Sequence, residues 1–235
     1  MSRTTAAAKP AYNTRKIWRE DDRQRLRLPL YSLGEEIFSA VSHGAAAVFG
    51  ITALVLLLVF CEKIPVKVAS ASVFGGTMIL LYTVSTLYHG LGVNRAKRVF
   101  RVLDHCMIFL LIAGTYTPIT LCCLQGRSGP VLFAVVWAAA VVGIVLNAVN
   151  MERFKKLSMI CYLAMGWVVV FAMPEVLATV PAKGVWYLVA GGVAYTLGAV
   201  VYGVGSRVPY MHSVWHLFVL AGSVFHTLTV FNVVL

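Results

Sequence analysis

Six histidines occur in this 235-residue chain, and His212 and His216 are spaced four apart in MHSVWHLFVLAGSVFH. Residues four apart share one helix face, so both imidazoles can point at one atom. Helices carrying HExxH hold zinc in this way. An HxxxH pair alone is a weak sign. A third histidine, His89, ends LYTVSTLYHG, four residues after Ser85. Three neutral imidazoles and a water make a tetrahedral zinc site with one open position, the pattern of catalytic rather than structural zinc. A metal so held lowers the pKa of its water to about 7. Asp104, in FRVLDHCMIFLLIAGTYTP, could hold that water and accept its proton, or could brace an imidazole from behind. Ser85 could donate a hydrogen bond to water or substrate. Two bland readings compete: a salt bridge from Asp104 to Arg101, and histidines that are simply satisfied polar groups at a water–lipid boundary.

The elements that must position these residues are apolar. Hydrophobic residues make up 60% of the chain and charged ones 12%, against roughly 25% charged in an ordinary soluble domain. Such a chain lacks the residues for a water-facing surface, and burial of charge in lipid is costly enough to select this composition. Runs long enough to cross a bilayer as helices fall at about 37–60, 66–90, 99–122, 130–149, 157–175, 184–204 and 212–234. They are continuously apolar without period-two alternation, which favours helices over a barrel. The expected architecture is an all-α, polytopic seven-helix membrane bundle, with residues 1–30 as a basic tail and 31–235 as the membrane domain. No signal peptide is expected, since the first 30 residues are polar and mixed in charge.

Lysines and arginines set the expected orientation. The tail, from Arg3 and Lys9 to Arg27, and the second, fourth and sixth loops together hold sixteen, Arg207 among them; the opposite side holds four. That asymmetry places the N-terminus in the cytoplasm and Leu235 outside, in the plasma (inner) membrane. The net charge of +11 then reflects orientation and attraction of the tail to anionic lipid, not a nucleic-acid partner. The five cysteines form no CxxC pair and read as small packing residues.

With this topology Ser85, His89, Asp104, His212 and His216 all fall at a similar depth near the cytoplasmic face, although the charge count did not use them. Glu36 and His43, seven apart on the first span, either support the site or are interfacial. His226 is roughly 21 Å beyond His212 along the helix axis, so an interhelical hydrogen bond is expected there rather than ligation. Pro118 should kink the third span, with Thr115 or Thr117 satisfying freed backbone groups. Gly191 and Gly192 suggest close helix packing.

EEIFSAVSHG, STLYHG, LDHCMIFLLIAGTYTP and HSVWHLFVLAGSVFH resemble the hemolysin III family. That family is the bacterial branch of the progestin and adipoQ receptors, grouped with the alkaline ceramidases among membrane hydrolases. The resemblance implies zinc on His89, His212 and His216, with Ser85 and Asp104 as the matching Ser and Asp. The chain departs from the pattern at Ser39 and Ser42, where the family usually has Asn and Thr, so the hydrogen bonding there should be kept only in part. The leading expectation is a zinc-dependent hydrolase of a lipid amide or ester, with membrane lipid as substrate. A heptahelical sensor with structural zinc and a cytolytic, hemolysin-like protein are the alternatives. A conduction path would need polar residues along several spans, whereas here they cluster on one side.

Overall fold

A computed structural model describes residues 14–124, 126–204 and 208–235; Arg3, Lys9 and Arg207, counted above, lie outside the described residues. The chain is all-α among those residues. A short helix, α1 (Thr14–Arg25), precedes α2 (Leu33–Phe60), α3 (Pro65–Gly90), α4 (Arg95–Cys122), α5 (Ser128–Trp167), α6 (Met173–Thr179), α7 (Ala182–Val204) and α8 (Met211–Val234). A 3-10 turn, Val168–Ala172, joins α5 to α6.

Helix starts follow local chemistry. Ser32 and Glu35 form a reciprocal capping box on α2, with hydrogen bonds of 3.2 and 2.8 Å, which satisfies two otherwise orphaned amide donors. Pro65 opens α3, where a missing N–H costs nothing. Asn94 caps α4 by accepting from the Lys97 amide at 2.8 Å. Near Pro118, the hydroxyls of Thr115 and Thr117 donate to Leu111 O and Ala113 O.

Six helices among the described residues are long and apolar enough to cross a membrane, where the sequence predicts seven spans. The difference lies in α5, which takes in the fourth and fifth predicted runs. It is not straight. Asn150 has non-helical angles, φ −159° and ψ 82°. Beyond it, the Ser158 hydroxyl donates to Asn147 Oδ1 at 2.7 Å, and Asn147 Nδ2 donates to the Tyr162 hydroxyl at 3.3 Å. In an unbroken helix these pairs would be roughly 16 and 22 Å apart, so the chain doubles back at Asn150. The Asn150 side chain starts the returning segment by accepting from the Arg153 amide at 3.1 Å.

Packing runs in sequence order, α2 on α3, α3 on α4, α4 on α5 and α7 on α8, and α8 closes the bundle against α2 and α4. Small residues let the backbones approach. A Cβ on Gly143 of α5 would strike the Phe109 ring of α4, and one on Gly222 of α8 would lie 2.5 Å from the Tyr195 ring of α7. The outward surface is broadly apolar, with Val41, Val55, Val149 and Phe171 all exposed, as a lipid-facing bundle requires.

The N-terminal segment also touches the bundle. Arg23, at the end of α1, bonds Pro29 O at 2.5 Å and Glu36 at 3.2 Å, and Arg101 of α4 donates to Arg27 O. Residues 26–32 therefore pass across the end of the bundle where α2, α4 and α8 begin and α3 ends.

Candidate metal centre

At that end α3 delivers His89 in its last turn, and α8 delivers His212 and His216 on one face of its first two turns. Each imidazole offers a ligand nitrogen, and the three nitrogens lie within 4.8 Å of one another. Nε2 of His212 is 3.4 Å from Nε2 of His89 and 3.2 Å from Nε2 of His216. A tetrahedral ion with bonds of about 2.0–2.1 Å sets neighbouring nitrogens roughly 3.3–3.4 Å apart. The donor set and two of its edges therefore fit a metal ion of zinc's size. All three rings are buried, away from the water that would otherwise compete for their lone pairs.

What surrounds the rings fixes their orientation. Nδ1 of His89 bonds Glu36 Oε2 at 2.9 Å. A carboxylate behind an imidazole holds that nitrogen protonated and turns the Nε2 lone pair toward the centre. Glu36 is itself held by Lys97 at 3.1 Å and Arg23 at 3.2 Å. Lys97, 2% exposed, also donates to the carbonyls of Tyr88, His89 and Leu91, so it caps the end of α3 where the helix dipole is negative. His212 is walled by aromatic rings: Tyr31 stacks on it at 4.7 Å, and Trp215 and Tyr202 lie at 5.1 and 5.9 Å. Burial raises the Tyr31 phenol well above its ordinary pKa, because phenolate would lose its water.

Asp104 and Ser85 sit beside this cluster. Ser85, fully buried, is 2.7 Å from Nδ1 of His43, and the His43 ring stacks on His216 at 3.7 Å. Asp104 faces Ser85; its Oδ2 is buried with no hydrogen-bond partner among the described residues. Arg101 does not pair with it, being bonded instead to Glu152 at 2.6 Å and to Arg27 O. The salt bridge weighed for Asp104 is thus not formed, and Arg101 ties α4 to α5 and to the N-terminal segment.

Asp104 and His43 also line one end of an apolar cavity of about 130 Å³ between α4, α5, α7 and α8. Most of its wall is apolar, with Ile108, Ile112 and Leu188 typical. His226 lines its far part, 7% exposed and stacked on Tyr195 at 5.2 Å. The interhelical hydrogen bond expected for His226 is absent among the described residues, since the ring packs face-on against α7 instead.

The structure brings Ser85, His89, Asp104, His212 and His216 together. It also settles where Glu36 and His43 lie, against His89 and Ser85. Ser39 reaches Ser213 at 3.0 Å, and Ser213 donates to Glu35 O at 3.3 Å. Two short hydroxyls thereby bridge α2 to α8. Tyr31, Lys97 and Ser213 were not singled out from sequence. The one available signal was for Lys97, two residues after the start of α4 and within reach of the preceding helix end.

The fold and the site define a multi-pass helical membrane protein with a buried three-histidine cluster that could hold a metal. The chain belongs to the family described as Haemolysin-III related, which it matches over residues 31–227. It is similar to Hemolysin-3 of Bacillus cereus, 39% identical over 191 residues that cover 80% of this chain and 87% of that one. The Hemolysin-3 homolog of Bacillus subtilis (strain 168) is 37% identical over 196 residues, 83% of this chain and 92% of its own. A more distant likeness is to the Monocyte to macrophage differentiation factor of Homo sapiens, 27% identical over 164 residues, 67% of each chain.

Proposed function

We propose that this protein is a zinc-dependent hydrolase of a lipid amide or ester. The observation that carries the reading is a junction: the convergent imidazoles meet a buried carboxylate with one oxygen unpartnered, Asp104 Oδ2, at one end of an apolar cavity. His89, His212 and His216 would hold the ion, as three neutral imidazoles suit zinc. Zinc, when bound, supplies Lewis acidity that polarises a carbonyl and acidifies water.

The chain's own residues do the rest. With Nδ1 of His43 protonated, Ser85 accepts from His43 and donates to Asp104, which fixes the carboxylate and leaves Oδ2 free. Asp104 takes a proton from the attacking water at Oδ2 and returns it to the leaving nitrogen or oxygen. The apolar cavity takes the hydrocarbon part of the substrate, and Tyr31 closes the opposite side against water.

The same reading includes seven crossings, the N-terminus in the cytoplasm, residues 1–30 against the inner leaflet of the plasma membrane, and membrane lipid rather than nucleic acid as partner. The reversal at Asn150 supports the count, since an unbroken 40-residue helix would be roughly 60 Å long, about twice the hydrocarbon thickness. The sixteen-to-four charge asymmetry supports the orientation.

One observation favours a second reading, a sensor in which the metal only ties helices together: His89, His212 and His216 do not themselves line the cavity. Asp104→Asn separates the two. Purified wild type and Asp104→Asn are incubated with acyl-amide and acyl-ester lipids, and released fatty acid is read by mass spectrometry beside metal content. The hydrolase reading expects metal retained and release lost in the variant. Metal-replete wild type that cleaves no such lipid would overturn it.

A further inference from the structure

The polar groups on the cavity wall divide into those already bonded and those that are not. Tyr116 donates to Gly166 O and accepts from the Val169 amide, Trp167 donates to Thr196, and Tyr162 donates to His105 O. Three residues of the wall carry a buried polar atom with no partner among the described residues: His43 (Nε2) and Asp104 (Oδ2) at the site, and His226 (Nδ1) far from it.

His226 stands ten residues beyond His216 on α8, roughly 15 Å along the axis. Its seat is shaped for the ring. Gly191 leaves the space, since a Cβ there would meet Nε2 at 2.8 Å, and Tyr195, one turn further along α7, stacks on it at an interplanar angle of 24°. Tyr195 is in turn fixed by Ser223 at 2.9 Å, which also accepts from Tyr82 at 2.6 Å. An apolar wall alone would be served better by a hydrophobic residue, because a buried nitrogen left without a partner is destabilising. The ring is thus held in a built position with its buried Nδ1 unbonded among the described residues.

We propose that His226 is a subsite for a hydroxyl group carried on the ligand's acyl chain. A neutral imidazole nitrogen is a donor or an acceptor according to tautomer, and a hydroxyl satisfies either. An all-trans hydrocarbon advances about 1.25 Å per carbon, given C–C bonds of about 1.52 Å. Roughly 15 Å along α8 therefore places the hydroxyl about 12 carbons from the reacting carbonyl. This inference rests on the lipid reading for the position of that carbonyl, and needs none of the chemistry there.

Displacement of a fluorescent fatty acid from the full-length protein in detergent tests it. The competitors are octadecanoic acid and its 12-hydroxy and 2-hydroxy derivatives, and metal content serves as the folding control. On wild type the 12-hydroxy acid should compete roughly five- to tenfold better than the unsubstituted one, the worth of one buried hydrogen bond, and the 2-hydroxy acid should show no such gain. His226→Leu should erase the preference and His226→Gln should keep part of it. Equal competition by all three acids on wild type, or a preference that survives His226→Leu, would overturn the subsite and leave the hydrolase reading standing. Displacement by none of them would remove the acyl chain from the cavity and overturn both.

Discussion

Glu36→Gln should weaken metal binding without abolishing it. Glu36 touches one ligand of three, through Oε2 to His89 Nδ1 at 2.9 Å, and His212 and His216 keep their positions on α8. Glutamine is nearly isosteric, so the loss is of charge and of the force that holds His89 in one tautomer. Removing a carboxylate behind a metal-binding imidazole costs about 10–100-fold in affinity, equivalent to about 1.4–2.8 kcal/mol. Part of the cost could come from Lys97, which loses its counter-charge while nearly fully buried. Lys97 retains three backbone carbonyls, however, so the end of α3 stays capped. Competition of purified protein against a chelator of known zinc affinity gives the apparent dissociation constant. Arg23→Gln is the control, since Arg23 bonds the other carboxylate oxygen at 3.2 Å and leaves the His89 contact intact; its effect should stay below about threefold. An unchanged constant in Glu36→Gln, in a preparation where His216→Ala has lost its metal, would refute the orienting role of Glu36.

His89→Ala, His212→Ala and His216→Ala should each reduce metal content from about one ion per chain to near none, read by elemental mass spectrometry; metal kept in all three would remove the centre altogether. Tyr31→Ala should speed chelator stripping, because the ring that stacks on His212 is gone, whereas Tyr31→Phe should strip at the wild-type rate near neutral pH. The half-buried Tyr31 phenol has its pKa raised, so closure over the site is fully kept below the ordinary phenol value of about 10 and is lost as pH rises toward the raised one. Stripping of wild type should accordingly accelerate above about pH 10, and Tyr31→Phe should remove that acceleration. Gly143→Ala should lower stability by roughly 1–3 kcal/mol, since the new Cβ strikes the buried Phe109 ring; Gly166→Ala, which meets nothing within 4 Å, should not, and thermal unfolding in detergent compares them.

The candidate site was legible in the sequence because its residues obey two simple periodicities. Ser85 with His89, and His212 with His216, are one turn apart, and the alternation of spans brings the end of one helix level with the start of the next. Depth and facing thus follow from counting. Side-chain partners do not. Lys97 counts in the linear chain as one more positive loop residue. In the structure it folds back under the end of α3, because the turn from Leu91 to Asn94 is too short to carry it away. Tyr31 lies before any apolar run, and only the path of residues 26–32 across the bundle end lays it on His212. Glu36 and His43 share a face of α2, but which neighbour that face meets depends on α8 closing the bundle against α2, a contact between chain segments about 170 residues apart. The reversal at Asn150 marks the opposite case. The polar stretch NMERFKK signalled a break that the element boundaries of α5 conceal, and the Asn147–Ser158 bond reveals it. Local signals therefore specify where helices run and which ligands share a face, while the groups that tune the ligands come from contacts the pattern of the chain does not encode. Those contacts, Glu36 on His89 and Tyr31 on His212, are where substitution should change the metal site by degrees rather than destroy it.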